Sequence, residues 1–137
     1  MALYYTDSYG GDTQLLVKGV AKVLSLAKDS RFRQAAVAAH TKNQVAHSNI
    51  WEDAIGKLAT KNLAAGQLRI EGCTLYLLTE RIDPAGFIQG PILAAAISTG
   101  FLRRVLTNRK ATDIVFVPWL EEELEDFKRT SPDAISF

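Results

Sequence analysis

The chain has 137 residues, of which 47% are hydrophobic and 23% charged, a balance that supports one folded domain with its own core and excludes a disordered or low-complexity chain. Sixteen basic against fifteen acidic residues leave a net charge of +1, so the broad positive field that nucleic acid or an anionic membrane selects is missing. The single cysteine, Cys73, excludes an internal disulfide and a cysteine-rich zinc site and suits a reducing compartment.

The start, Met1-Ala2-Leu3-Tyr4-Tyr5, has neither the basic head nor the long apolar stretch of a secretory signal, and no apolar run approaches the about 18 residues of a membrane helix. A soluble, cytoplasmic protein is the expectation. Residues 3–6 read as a short strand ending in the turn-forming run Asp7-Ser8-Tyr9-Gly10-Gly11-Asp12. Asp12 or Thr13 then caps a helix whose Leu16, Val20, Val23 and Ala27 share one face, with Gly19 weakening it slightly. Residues 34–39, small and apolar on both faces, read as a strand between helix layers.

After His40-Thr41-Lys42-Asn43, Ser48 caps a second helix with Trp51, Ile55, Leu58 and Ala59 on one face and Gly66 past its end. Residues 68–70 and 73–79 are strand-like and separated by Glu71-Gly72, as one bulged strand or as a tight pair. Residues 81–91, broken by Pro84, Gly86, Gly90 and Pro91, read as a loop. Residues 92–97 read as a strand in preference to a helix starting at Pro91. Ser98-Thr99-Gly100 opens a helix with Phe101, Leu102, Val105 and Leu106 inward and Arg103, Arg104, Arg109 and Lys110 solvated. Residues 113–117 form the clearest strand, closed by Pro118-Trp119, and the last helix, 120–128, buries Leu120, Leu124 and Phe127 behind an acidic first turn. Residues 1–129 are thus read as a single α/β domain, and 130–137 as a loose tail.

Strands alternating with helices at this spacing predict a three-layer, doubly wound α/β fold, Rossmann-like or flavodoxin-like, with about five mostly parallel strands and helices on both faces. Ligands of such sheets bind beyond the carboxyl ends of the strands, where strand order reverses. The candidate ligand-binding residues are therefore Asp7, Ser8, Gly10, Gly11 and Asp12 after the first strand, His40 and Lys42 after the second, Ser98, Thr99 and Gly100 before the arginine-bearing helix, and Trp119 after the last strand. Glycines before a helix let backbone N–H groups approach an anion, although this run lacks both the spaced-glycine dinucleotide fingerprint and the Walker pattern. Ser98 and Thr99 serve equally as helix caps, His40 as an exposed loop residue, and Trp119 as packing under the next helix. No metal-ligand pattern and no nucleophile elbow is present.

In outline the order of elements is similar to that of a response-regulator receiver, with an acidic Asp7 after strand one, Ser98-Thr99 after a later strand and Pro118 after the last. The phosphorylatable aspartate of a receiver has no counterpart at Leu78-Thr79-Glu80, and Val117 stands where a receiver has lysine before the proline. The resemblance implies the architecture and not phosphotransfer. The expected function is binding or sensing of a small anionic or nucleotide-like ligand at the rim. Alternatives are an interaction or oligomerisation module using the charged helices and the 81–91 loop, with self-association through those helices, and a hydrolase or transferase using Asp7 or His40 as acid or base.

Overall fold

The computed structural model describes residues 1–137. In chain order its elements are β1 (Ala2–Tyr5), α1 (Thr13–Lys28), β2 (Gln34–Ala38), α2 (Lys42–Ala46), α3 (Asn49–Ile55), α4 (Lys57–Ala64), β3 (Gln67–Ile70), β4 (Cys73–Leu78), β5 (Gly90–Ala95), α5 (Thr99–Leu106), β6 (Ala111–Val117), α6 (Glu121–Thr130) and β7 (Ile135–Ser136). The strands form one seven-stranded sheet in the order β3-β4-β2-β5-β6-β1-β7. Every neighbouring pair is parallel except β3 with β4.

Seven strands stand where about five are expected, for two local reasons. Glu71 (φ 50°) and Gly72 (φ 79°) both adopt the left-handed conformation that a two-residue hairpin loop demands, so 67–78 is a tight antiparallel pair with Ile70 opposite Cys73. The 130–137 segment is also docked rather than loose. Ile135 and Ser136 pair with Tyr4 and Tyr5, the Phe137 N–H donates to the Tyr5 carbonyl at 3.1 Å, and Lys18 Nζ donates to the Phe137 carbonyl at 3.1 Å. An edge strand with open hydrogen-bonding groups and an apolar end to the tail explain the docking.

Side chains alternate across the sheet into two hydrophobic clusters. Ala35, Val37, Ala39, Leu75, Leu77, Leu93, Val115 and Val117 meet α1, α3 and α4 through residues such as Leu16, Val20, Val23, Trp51 and Leu63. Ala36, Ala38, Ile92, Ala94, Ile114 and Phe116 meet α5 and α6 through Phe101, Leu102, Val105 and Phe127. Both faces of β2, β5 and β6 are therefore buried, which is why these strands read as continuous apolar runs instead of alternating ones. Each fully buried Val, Leu, Ile or Phe here contributes about 1.5–3 kcal/mol of transfer free energy. The four α1 residues expected inside are all buried.

The helix expected after Ser48 is two helices, α3 and α4, and the short α2 precedes it in a stretch that carries no helix expectation. Gly56, at φ 92°, turns the chain between α3 and α4, and Leu58 lands on the far side of that break, 73% exposed instead of sharing the Trp51 face. Leu120, expected inside, is 48% exposed because it is the N-cap of α6 and stands outside the helix face that carries Leu124 and Phe127. The α5 helix ends at Leu106, so Arg109 and Lys110 lie in the turn before β6. No helix is long and apolar enough to cross a membrane.

Ser48 accepts from the Trp51 N–H at 3.1 Å and caps α3. Ser48→Ala should cost about 1 kcal/mol, read as a lower urea midpoint with an unchanged slope.

Candidate functional site

The crossovers decide where a cleft opens. From β2 the chain runs outward through α2, α3 and α4 to β4, whereas from β5 it runs the other way through α5 to β6. β2 and β5 are neighbours. Their exits therefore part in opposite directions, and a crevice must form above the pair.

A cleft of about 530 Å³ occupies that position, a size within the range of small-molecule sites. It is lined from β1 by Gly10, Gly11 and Asp12, from β2 by His40 and Gln44, from β5 by Ala95 to Ser98, and from β6 by Val117, Trp119 and Glu123, with Trp51 of α3 on its floor. Four strand exits far apart in sequence thus share one rim. No lysine or arginine lines it; the ionisable groups are Asp12, His40 and Glu123.

Each carboxylate is oriented by backbone. Asp12 Oδ1 accepts from the Gln14 N–H at 2.8 Å as the N-cap of α1. Glu123 Oε1 accepts from the N–H groups of Trp119 at 3.0 Å and Leu120 at 2.9 Å. In both cases one oxygen is held and the other is left over for a donor in the cleft.

Trp119 is 44% exposed and lies against Gly11: a Cβ built on Gly11 would stand 2.7 and 2.9 Å from two atoms of the indole and closer still to a third. The need for glycine at 11 is thus packing against a flat ring. Gly10, at φ 119°, bends the loop so that its N–H donates to the Pro118 carbonyl at 3.4 Å, tying the β1 and β6 exits together.

The β2 and β5 exits are tied by two residues. Gln44 Oε1 accepts from the His40 backbone N–H at 2.6 Å, and its Nε2 donates to the Ala96 carbonyl at 3.1 Å. His40 Nε2 accepts from the Ser98 backbone N–H at 2.9 Å, and its Nδ1 meets the Glu80 carboxylate beyond β4. An accepting Nε2 places the ring proton on Nδ1, directed at Glu80. Ala96 sits between these ties at φ 55°, a left-handed conformation that costs an alanine on the order of 1 kcal/mol and that the ties hold in place.

Of the eleven residues singled out from sequence, Gly10, Gly11, Asp12, His40, Ser98 and Trp119 line the cleft. The other five do not. Asp7 forms an ion pair with Lys128 at 3.4 Å, and the negative charges of Asp7 first and Glu125 second hold the Lys128 pKa above its ordinary value. Ser8 faces solvent with its carbonyl accepting from Thr6 Oγ1 at 3.4 Å, and Lys42, the first residue of α2, is exposed. Thr99 and Gly100 are exposed in the first turn of α5, which Ser98 caps by accepting from the Phe101 N–H at 3.2 Å. Gln44, Trp51, Ala96 and Glu123 carry no sequence signal of a site; only the strand order brings them to it.

As a base His40 has no free lone pair here, because the Ser98 N–H occupies it, and Asp7 lies outside the cleft. Comparison with known proteins adds nothing to this geometry: no family model, curated protein or solved structure matches the chain.

Proposed function

We propose that this chain is a binding or sensing domain for a small nucleotide-like ligand held at the carboxyl-end rim of a doubly wound sheet. The observation that carries the reading is the pairing, in one cleft at the divergence of β2 and β5, of two indoles, Trp51 and Trp119, with two carboxylates that each have an oxygen to spare. A flat heterocycle finds the half-exposed Trp119 ring to stack on and an apolar lining to which the buried Trp51 contributes, and its amino or hydroxyl groups find fixed acceptors. With no lysine or arginine in the lining, a bare inorganic anion has only backbone N–H groups and helix ends to compensate it, so the ring system is the part recognised. The occupied lone pair of His40 favours binding over acid–base catalysis.

The test is thermal unfolding of the full chain with a panel of nucleosides and nucleotides beside inorganic phosphate. A ligand at a hundredfold excess over its Kd stabilises by about 2.7 kcal/mol, on the order of 10 °C in Tm for a domain of this size. We expect such a rise with a member of the panel and none with phosphate alone. A flat response to every nucleoside and nucleotide overturns the reading.

A further inference from the structure

The β5 wall of the cleft, Ala96 to Ser98, leaves the sheet in a turn with Ala96 at φ 55°; the Ala96 N–H ties it to the Val117 carbonyl of β6 at 3.4 Å and Ile97 is buried, but neither contact reaches the β2 exit. What links it to the β2 exit is side-chain bonding from across the crevice. Gln44 bridges the His40 N–H and the Ala96 carbonyl, and the His40 ring bridges Glu80 and the Ser98 N–H.

We propose that Gln44 and His40 are positioning residues, a clamp that fixes the spacing of the β2 and β5 exits, and that His40 closes it only as the neutral ring with its proton on Nδ1. This rests on the reading of the cleft as a ligand site only for its consequence on binding; the clamp itself is measurable without ligand.

The chemistry is a matter of donors and acceptors. A neutral imidazole has one of each, and here the acceptor takes the Ser98 N–H while the donor goes to the Glu80 carboxylate. A second proton turns Nε2 into a donor facing another donor, and the bond to Ser98 is lost while the ion pair with Glu80 is strengthened. The clamp then opens on the Ser98 side. The charged groups around the ring are Glu80 at the β4 exit, Arg104 of α5, which donates to the Glu80 carbonyl at 3.0 Å, Lys42 two residues on at the start of α2, and Asp12 and Glu123 across the cleft. Phe101 packs on the ring with centroids 5.5 Å apart and keeps it upright in the crevice. Gln44 needs no proton change, so its half of the clamp persists at all these pH values.

The experiment follows amide exchange and the ring nitrogen signals of the full-length chain by NMR; only His47 has to be told apart from His40. While the His40 ring is neutral it should show the Nδ1–H form, and the Ser98 amide should be protected. Acidification that protonates the ring, followed on its own nitrogen signals, should cost Ser98 about tenfold in protection beyond the intrinsic pH effect, while amides of β6 hold theirs. In His40→Gln, whose Oε1 reaches the place of Nε2 without titrating, the pH dependence should vanish and protection should remain. In Gln44→Ala the His40 amide, which loses its acceptor, and the Ser98 amide, whose turn loses its tie to the β2 exit, should each fall about tenfold in protection at every pH, with the β6 amides unchanged.

An Nε2–H ring, or a Ser98 amide indifferent to pH in the wild type, overturns the histidine half. Unchanged protection of the His40 and Ser98 amides in Gln44→Ala overturns the other. Adenosine and adenosine monophosphate serve as binding probes: a wild type that binds either, with about tenfold loss in Gln44→Ala, supports the clamp as a determinant of the site. A clamp present by exchange in a protein that binds neither these probes nor any other nucleotide overturns the ligand reading and leaves the positioning role standing.

Discussion

Gly90→Ala is expected to destabilise the protein by about 3–5 kcal/mol, a large part of the about 5–15 kcal/mol that holds a domain together. Gly90 opens β5 beside Gln34, the first residue of β2. A Cβ built there overlaps the Gln34 carbonyl oxygen, lies 2.8 Å from its carbon and 3.3 Å from the Phe87 ring. The obstacle is backbone in a central pair of strands, and no rotamer relieves it. The strands would have to part, and with them would go the Gly90 N–H bond to the Lys110 carbonyl at 3.0 Å and the two bonds by which Gln34 holds the 86–88 turn, to the Gly86 carbonyl at 2.9 Å and from the Ile88 N–H at 2.8 Å. Chemical denaturation measures the effect; a loss below about 1 kcal/mol would show that the strands meet less closely than described.

Gly11→Val is expected to do the opposite: leave stability within about 1 kcal/mol, since the residue is exposed, and reduce nucleotide affinity by tenfold to a hundredfold, about 1.4–3 kcal/mol. The valine displaces the Trp119 indole, whose atoms lie 2.7 and 2.9 Å from the new Cβ, so the wall on which a base would stack is lost. Tryptophan emission reports the same event independently, because Trp51 is buried and only the half-exposed Trp119 should shift further towards the spectrum of water. Unaltered emission together with unaltered affinity would remove Trp119 from the site.

Local rules made part of this legible. The caps at Asp12, Ser48 and Ser98 each depend on a side chain and an N–H two or three residues on, and each is found. The apolar face of α1 follows from periodicity, and a strand follows from burial on both sides, though it is expected at 92–97 and found at 90–95, starting two residues earlier at Gly90 and Pro91 and leaving Ala96 and Ile97 in the turn. That Gly10, His40, Ser98 and Trp119 share a rim follows from parallel strands alone.

What was not legible depends on contacts between distant segments. Asp7 looks like a site residue until Lys128, 121 positions away, takes it up. Gln44 looks like an ordinary helix residue until Ala96 is placed beside β2 by the strand order, and Glu123 reads as one acid among several until it turns back to the Trp119 N–H. The break at Gly56 changes which residues of 48–66 face inward, and a helical period carried across it puts Leu58 on the wrong side. The tail reads as loose because two residues make no strand signal; only an unpaired β1 edge gives them a place.

That parallel pairing of β7 with β1 fixes how the molecule can be handled. Since all its strands but β3 point the same way, a handle joined to Met1 departs from the underside of the sheet, while one joined to Phe137 departs at the level of the cleft. Tethering to a sensor surface through the first residue should therefore leave the cleft open to solution, and tethering through the last brings the surface to its side.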